Sequence, residues 1–415
     1  MDEEKKTSSQ LTNFIDFRLF QSNIGRAIGE MVLFLLRQTK LEFFLHYFIH
    51  VLISNKMKKS RRSVITGTGH FIPDLKIGND HFLTASFYDA NSKKLSKSNE
   101  EITQKFEEIT TISERRYARS GMMTSDLAYL AGKSAIDNAK INAEKLDYII
   151  VAHNFGDVKP GSNRTDIVPS LAARVKKKLG IKNPACVAYD MIFGCPGWLQ
   201  ALIQADYFLR SGDAQKALVI GSDILSRVSD VHDIDSMIYA DGAGAVILES
   251  QESDDQSGII THLTRSDALE YADLLFMDHS YKQQDGDQNI YLKMYGRKLY
   301  QYALIHVPSA IQECLEKAGV HLKEVKKLFI HQANGKMDEA ILHRLYKLYD
   351  MEAPDSSIMP MSISWLGNSS VATLPTLLDL VKQGQIENHK IEKGDILVFA
   401  SVGAGMNINA MVYRS

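Results

Sequence analysis

The sequence predicts an α/β protein built from two related halves, each with a largely parallel sheet covered by helices. Two observations carry this. Four stretches, 148–152, 217–221, 328–330 and 396–400, are near-continuous runs of apolar residues. Strands of that kind are buried on both faces, as in parallel sheets sandwiched between helices. The order helix, strand, helix, strand also occurs twice. Ser134-Ala135-Ile136 opens an amphipathic stretch that leads to a strand ending at His153-Asn154. Ser309-Ala310-Ile311 opens another that leads to a strand ending at His331, with Asn334 just beyond. The helical stretches 198–210 and 374–382 then precede Gly212 and Gly384 and the strands 217–221 and 396–401. This places the halves at 57–235 and 236–415, behind an N-terminal segment 1–56.

That segment holds two apolar clusters, 31–36 and 43–53, with Arg37, Lys40 and Glu42 between them. Neither reaches the roughly 18–20 apolar residues that span a bilayer. The start Asp2-Glu3-Glu4 is unlike the basic opening of a signal peptide. Two readings stand: an interfacial amphipathic helix, or translation starting at Met57, just before the strand and glycine turn of Ser63 to Gly69. The polar stretches 89–101 and 280–288 read as surface insertions. With 48 Lys and Arg against 50 Asp and Glu, no net field favours nucleic acid. Three cysteines, Cys186, Cys195 and Cys314, without a CxxC pair, argue against a disulfide framework or thiolate metal site and for a reducing, cytoplasmic setting. No cofactor is called for.

Cys195 is the most informative residue. It stands in Phe193-Gly194-Cys195-Pro196-Gly197-Trp198, between a strand-like run from Ala185 and a helix-like run closed by Gly212. Pro196 suits a first helical position. A cysteine at a helix start is favoured as thiolate, hence as nucleophile; the alternative is a small buried cysteine beside a turn. His331 and Asn368 complete a possible constellation. A thiolate takes an acyl group from a thioester, while a histidine N–H and an asparagine amide polarise a second thioester carbonyl. The turn Gly403-Ala404-Gly405 offers N–H groups to the oxyanion of the first step. Singly, each has a structural alternative: His331 as a satisfied strand-end residue, Asn368 as a turn or cap, the glycines as backbone geometry. Met294, Phe276, Trp198 and Met406 are candidates for lining an acyl tunnel or for core.

The words around these residues are more specific than their types. His331-Gln332-Ala333-Asn334, Gly367-Asn368-Ser369-Ser370, Tyr239-Ala240-Asp241-Gly242-Ala243-Gly244-Ala245 and Gly221-Ser222-Asp223 closely resemble signature segments of the β-ketoacyl-acyl carrier protein synthase III family, as do Gly67 to Pro73 and Ile112 to Arg116. The resemblance runs from about residue 63 to 414. It implies a duplicated thiolase-like αβαβα five-layer fold and a homodimer. It implies Cys195 as acyl acceptor, His331 and Asn368 as the decarboxylation pair, and the Cys195 and Gly405 amides as the oxyanion hole. The implied reaction is acyl transfer to cysteine, then decarboxylative Claisen condensation with a malonyl- or β-ketoacyl-carrier thioester, in fatty-acid or secondary-lipid biosynthesis. The implied partners are acyl carrier protein and an acyl thioester, carried by coenzyme A or by the carrier protein.

The chain departs from the pattern where coenzyme A binds. The Trp and Arg that sandwich adenine fall on Lys105 and Ile109, a further Arg falls on Ile234, and the Arg after His-Gln-Ala-Asn is Lys336, a candidate carrier contact of equal charge and different geometry. This favours a carrier-protein-borne or unusual donor. Two alternatives are a non-decarboxylating acyltransferase and a non-catalytic homologue that binds acyl carrier protein. A cysteine hydrolase lacks support because Pro196-Gly197 follows Cys195 where an elbow needs x-Gly. A thiolase proper would need a second cysteine in the C-terminal glycine turn, and 401–406 holds none.

Overall fold

The computed structural model describes residues 61–415 except 163, 253–256, 284–287 and 355; the expectations for 1–56 lie outside the described residues. The chain divides into two units, Met1–Ser60 and Arg61–Ser415, and only the second is described.

Two sheets organise it. The first contains β1 (Arg61–Phe71), β2 (Tyr148–Ala152), β3 (Val187–Met191), β4 (Lys216–Ile224) and β5 (Asp241–Glu252), in the spatial order β1-β5-β4-β2-β3. The second contains β6 (Gly258–Ser266), β7 (Val325–Ile330), β8 (Ile396–Gly403) and β9 (Asn407–Arg414), in the order β6-β9-β8-β7. In each sheet the first strand runs antiparallel to the last, the last antiparallel to its predecessor, and the inner pair parallel. Superposing the two orders matches β1, β5, β4 and β2 with β6, β9, β8 and β7. The expected duplication is therefore a duplication of topology. Its boundary lies later than 235/236: β5 closes the first sheet, and the chain crosses to the second between Glu252 and Gly258. The antiparallel hydrogen bonds of β5 with β1 and β4 decide this, and its sequence alone did not.

Helices occupy three layers. α2 (Thr124–Ala139) and α3 (Leu171–Lys178) cover the outer face of the first sheet, where Leu127, Ala131, Ala135 and Val175 pack on Ile149, Val151, Leu218 and Ile220. α5 (Gly296–Ala318) and α6 (Gly335–Lys347) cover the outer face of the second through Val307, Ile311, Ile341 and Leu345. Between the sheets lie α4 (Gly197–Ser211) and α7 (Thr373–Lys382). Trp198, Leu202 and Leu209 meet Leu374, Leu377 and Val381 there, with Val219 from one sheet and Phe329 and Phe399 from the other. The five-layer αβαβα arrangement follows. Helices between two sheets bury apolar residues against both, and truncating one of these buried leucines to alanine removes about 2–5 kcal/mol.

The apolar strand runs extend further than their sequence cores because ladder hydrogen bonds recruit Lys216, Ser222 to Ile224, and Val402-Gly403. Gly212 ends α4 in the left-handed conformation, as its position suggests. Pro196 is the N-cap residue rather than the first helical one, and Gly197 opens the helix. The insertion read at 89–101 gives way at its end to the first helix, α1 (Asn99–Thr110), capped by the Ser98 hydroxyl on the Glu101 N–H. The 280–288 stretch joins the strands Leu275–His279 and Ile290–Met294 of a hairpin. Among the described residues, no helix is long and apolar enough to cross a membrane.

One buried group opposes stability. Asp338 on α6 is wholly buried and neither carboxylate oxygen has a hydrogen-bond partner among the described residues. Burial holds its pKa well above the ordinary carboxylate range. The folded state then keeps a proton that the unfolded chain releases above about pH 4, so its contribution to stability falls as pH rises. Asp338→Asn removes that titration. Relative to the parent, the variant is expected to gain stability with rising pH by up to about 1.4 kcal/mol per unit, read by urea unfolding at pH 5 and pH 8. A pH-independent difference between the two proteins would contradict it.

Candidate active site

The site forms where both sheets present their carboxyl ends around one cavity of about 1000 Å³. Its lining includes Cys195, His331, Asn368 and the turn Gly403, Ala404 and Gly405. Residues scattered over more than 200 positions thus share one chamber, because duplicated α/β units direct equivalent strand ends to the same side.

Cys195 follows β3 and precedes α4. The glycine turn after β8 lies hard against it: a Cβ on Gly403 would fall 2.4 Å from the Cys195 nitrogen. Only glycine permits this approach. It brings the Cys195 amide and the 403–405 turn to one edge of the cavity. The Ser370 hydroxyl donates to Cys195 Sγ at 3.5 Å. The thiol lines the cavity, and its burial pushes it up to about 11 despite the Ser370 hydrogen bond. This corrects the sequence-based expectation of a resting thiolate. The helix start does not offset desolvation, and the buried Asp223 carboxylate nearby adds to the upward shift.

His331 follows β7, held by its N–H on the Ala400 carbonyl at 2.9 Å. Burial pushes its pKa down to about 4, so the ring is neutral at physiological pH. Its Nδ1 is sealed from solvent without a hydrogen-bond partner among the described residues. A proton there would find no acceptor, which leaves Nε2 as the donor nitrogen. The neighbouring Gln332 is a clamp. Its Oε1 accepts from the Ser362 and Ile363 N–H groups and its Nε2 donates to the Pro360 carbonyl. This fixes the 360–366 segment that delivers Asn368. Asn334 caps α6 by accepting from the Met337 N–H at 3.1 Å. Three residues of the four-residue word, His331, Ala333 and Asn334, line the cavity, Asn334 also caps the helix, and Gln332 is the clamp.

Asn368 is tied to the edge of β5. Its N–H donates to the Ile238 carbonyl at 3.0 Å and its carbonyl accepts from the Ala240 N–H at 2.9 Å. Its side-chain oxygen accepts from the Ser370 N–H at 2.8 Å. With the oxygen end occupied, the amide presents Nδ2 as a donor. Asp241 anchors this edge by accepting from the Ala118 N–H and from the Ser226 N–H and hydroxyl. Gly221 on β4 lets the segment lie flat, since a Cβ there would meet the Val371 carbonyl oxygen at 2.2 Å.

Other expectations sort differently. Phe276 and Met294, both on the hairpin, line the cavity. Trp198 and Met406 are core, buried in the central and outer layers. Lys105, Ile109 and Ile234 line the cavity and are exposed, which puts them at its rim. Lys336 is exposed on the first turn of α6 and is not part of the lining; its charge acts on Glu108 across the rim. Cys186 and Cys314 are buried core residues.

Residues 189–268 match the family model of 3-oxoacyl-[acyl-carrier-protein] synthase III, and residues 315–415 match its C-terminal model. The β-ketoacyl-[acyl-carrier-protein] synthase III of Ehrlichia canis is 32% identical over 357 residues, covering 85% of this chain and 99% of that protein. That of Cereibacter sphaeroides is 31% identical over 358 residues with the same coverage. The chain belongs to the β-ketoacyl-acyl carrier protein synthase III family. The crystal structure of the synthase III from Aquifex aeolicus agrees with a TM-score of 0.68 at 29% identity, covering 85% of this chain and all of that one. The Thermus thermophilus enzyme gives 0.69 at 28% identity, over 85% and 99%. The fold is thus the thiolase-like fold of condensing enzymes.

Within that family frame, the site contains groups that sequence reasoning passed over. Ser370 touches the sulfur although it was quoted only as part of a signature word. Asn154 and Asp223 stand behind it. Asp235 lines the cavity, and burial together with neighbouring Asp233 raises its pKa to about 7. Asp233 and Asp230 in turn hold the fully buried Lys293 of the hairpin, at 3.1 and 2.5 Å. Apart from the neighbours Asp233 and Asp235, no sequence spacing signals these contacts, since they join residues 60 to 216 positions apart.

Proposed function

We propose that the protein transfers an acyl group from a carrier thioester to Cys195 and then condenses it with a malonyl- or β-ketoacyl-carrier thioester. The observation that carries this reading is the convergence of Cys195, His331, Asn368 and the 403–405 turn on one largely apolar cavity. In the first half-reaction Sγ attacks the thioester carbonyl, the carrier thiol leaves with a proton, and the Cys195 and Gly405 amides hold the oxyanion. In the second, a malonyl extender loses its carboxylate as carbon dioxide, which leaves the thioester enolate. The enolate oxygen is held by His331 Nε2–H and Asn368 Nδ2–H, and its carbon attacks the acyl-cysteine carbonyl, releasing Cys195. A neutral histidine suits this, because a donor that carries no charge of its own keeps its proton throughout. The test is intact-protein mass spectrometry against a panel of acyl-coenzyme A and acyl-carrier-protein donors. A stable acyl adduct on Cys195 supports condensation; turnover to free acid without an adduct would indicate a hydrolase.

The rim favours acyl carrier protein as the starter carrier. At the adenine-stacking places it offers Lys105, Ile109 and Ile234, with no ring or guanidinium, and Lys105 is paired to Glu108 at 3.0 Å. Loss of stacking and cation–π contact, about 0.5–2 kcal/mol, weakens coenzyme A binding by roughly 2- to 30-fold. Carrier protein is held largely by charge, for which exposed Lys336 is the candidate. For one acyl group the specificity constant is expected to be higher on carrier protein than on coenzyme A. The reverse ratio would mean a rebuilt nucleotide pocket.

A cytoplasmic homodimer completes the reading. β3 is the outermost strand of the first sheet, and Val187 at its start and Ile192 just after it are 47% and 62% exposed. An open apolar edge strand favours pairing with a second copy.

A further inference from the structure

Cys195 is joined through Ser370 to a buried carboxylate by hydrogen bonds whose directions are set by chemistry. Asp223 on β4 is wholly buried. Its Oδ1 accepts from the Asn154 N–H at 2.9 Å and its Oδ2 from Asn154 Nδ2 at 2.8 Å. That orients the Asn154 amide, whose nitrogen also donates to Ser370 Oγ at 3.0 Å. An amide nitrogen only donates, so Ser370 Oγ is the acceptor there, and its own proton has two acceptors within reach, Cys195 Sγ at 3.5 Å and the Asp223 carboxylate. Ser370 holds this place in the left-handed backbone region, at φ 54°. A non-glycine residue is uncommon there and persists where its surroundings over-determine it.

We infer that Ser370 is a further catalytic residue that stabilises the Cys195 thiolate by hydrogen bonding, and that Asn154 and Asp223 are positioning residues that aim its hydroxyl. The chain resolves a conflict in the site. Burial and the Asp223 charge both disfavour ionisation of Cys195, and the Ser370 hydroxyl opposes them. A direct carboxylate contact would repel the thiolate. The interposed amide and hydroxyl convert the same carboxylate into a donor directed at sulfur. Sulfur is ionised during attack and again when the condensed product leaves, so the donor acts in both half-reactions.

This rests on Cys195 as the acyl acceptor, and its test is independent of condensation. The rate of iodoacetamide alkylation of Cys195, followed by intact mass from pH 7 to 10, reports the thiolate fraction; Cys186 and Cys314 are buried. Ser370→Ala is expected to lower that rate about tenfold at every pH in this range, which is one unit of thiol pKa. Ser370→Gly keeps the left-handed backbone and should do the same, which separates hydroxyl loss from strain. Asn154→Leu should give part of the effect and add nothing to Ser370→Ala, because it acts through that hydroxyl. Ser369→Ala, whose hydroxyl faces Thr373, is the packing control and should alkylate as the parent does. An unchanged alkylation profile in both Ser370 variants, or full additivity with Asn154→Leu, would overturn the assignment. Unlabelled Cys195 in the parent would instead count against the acyl-acceptor reading.

Discussion

Cys195→Ala is expected to abolish both acyl-enzyme formation and condensation, while Cys186→Ala and Cys314→Ala leave activity within a few-fold. The asymmetry follows from where the sulfurs sit. Cys195 opens onto the cavity and receives the Ser370 hydroxyl. Cys186 is 1% exposed beneath α3 and Cys314 is fully buried on the inner face of α5, where burial pushes the Cys314 thiol up to about 12. Neither can meet a thioester. Because the Cys195 thiol is itself held near 11, the acylation rate of the parent should climb from pH 7 toward pH 10. Mass spectrometry of each variant after exposure to acyl donors checks the assignment. Acylation of the Cys195 variant at the parent's rate would remove it.

His331→Ala and Asn368→Ala should separate the half-reactions. Each variant is expected to acylate on Cys195 but to lose malonyl decarboxylation by roughly 100-fold or more, the usual consequence of deleting one donor to a developing oxyanion. The pH dependence sharpens this. Burial pushes His331 down to about 4. A group with a lowered basic pKa is neutral above that value, so decarboxylation should not titrate with His331 between pH 5 and pH 8. Carbon dioxide release and single-turnover acylation measured on the same preparations distinguish the roles. Variants that decarboxylate normally and fail only to acylate would reverse them.

Particular residues show how far the sequence could be read. The strands of both sheets were legible because apolar runs that are buried on two faces leave an unbroken signal. β5 was misassigned to the second half because a strand says nothing of its partners until ladder bonds form. Asn368 was legible as a turn residue, and the backbone bonds to Ile238 and Ala240 that make the turn an active-site wall were not. Trp198 and Met406 read equally well as tunnel or core, since helical periodicity gives a face but not what lies opposite it.

Taken alone, the amino-acid sequence determined the α/β class, the repeated order of elements, the place of the candidate nucleophile at a strand-to-helix turn and, by its signature words, the family. These are local properties, set by side-chain pattern over a few turns of chain. Tertiary structure decided the ionisation of Cys195 and His331 and the link from Asp223 through Asn154 and Ser370 to sulfur. Burial reversed the thiolate expectation because the desolvation of a charge depends on everything packed around it. The link joins residues up to 216 positions apart, and only the packing of both sheets against the central helices brings them within hydrogen-bond reach.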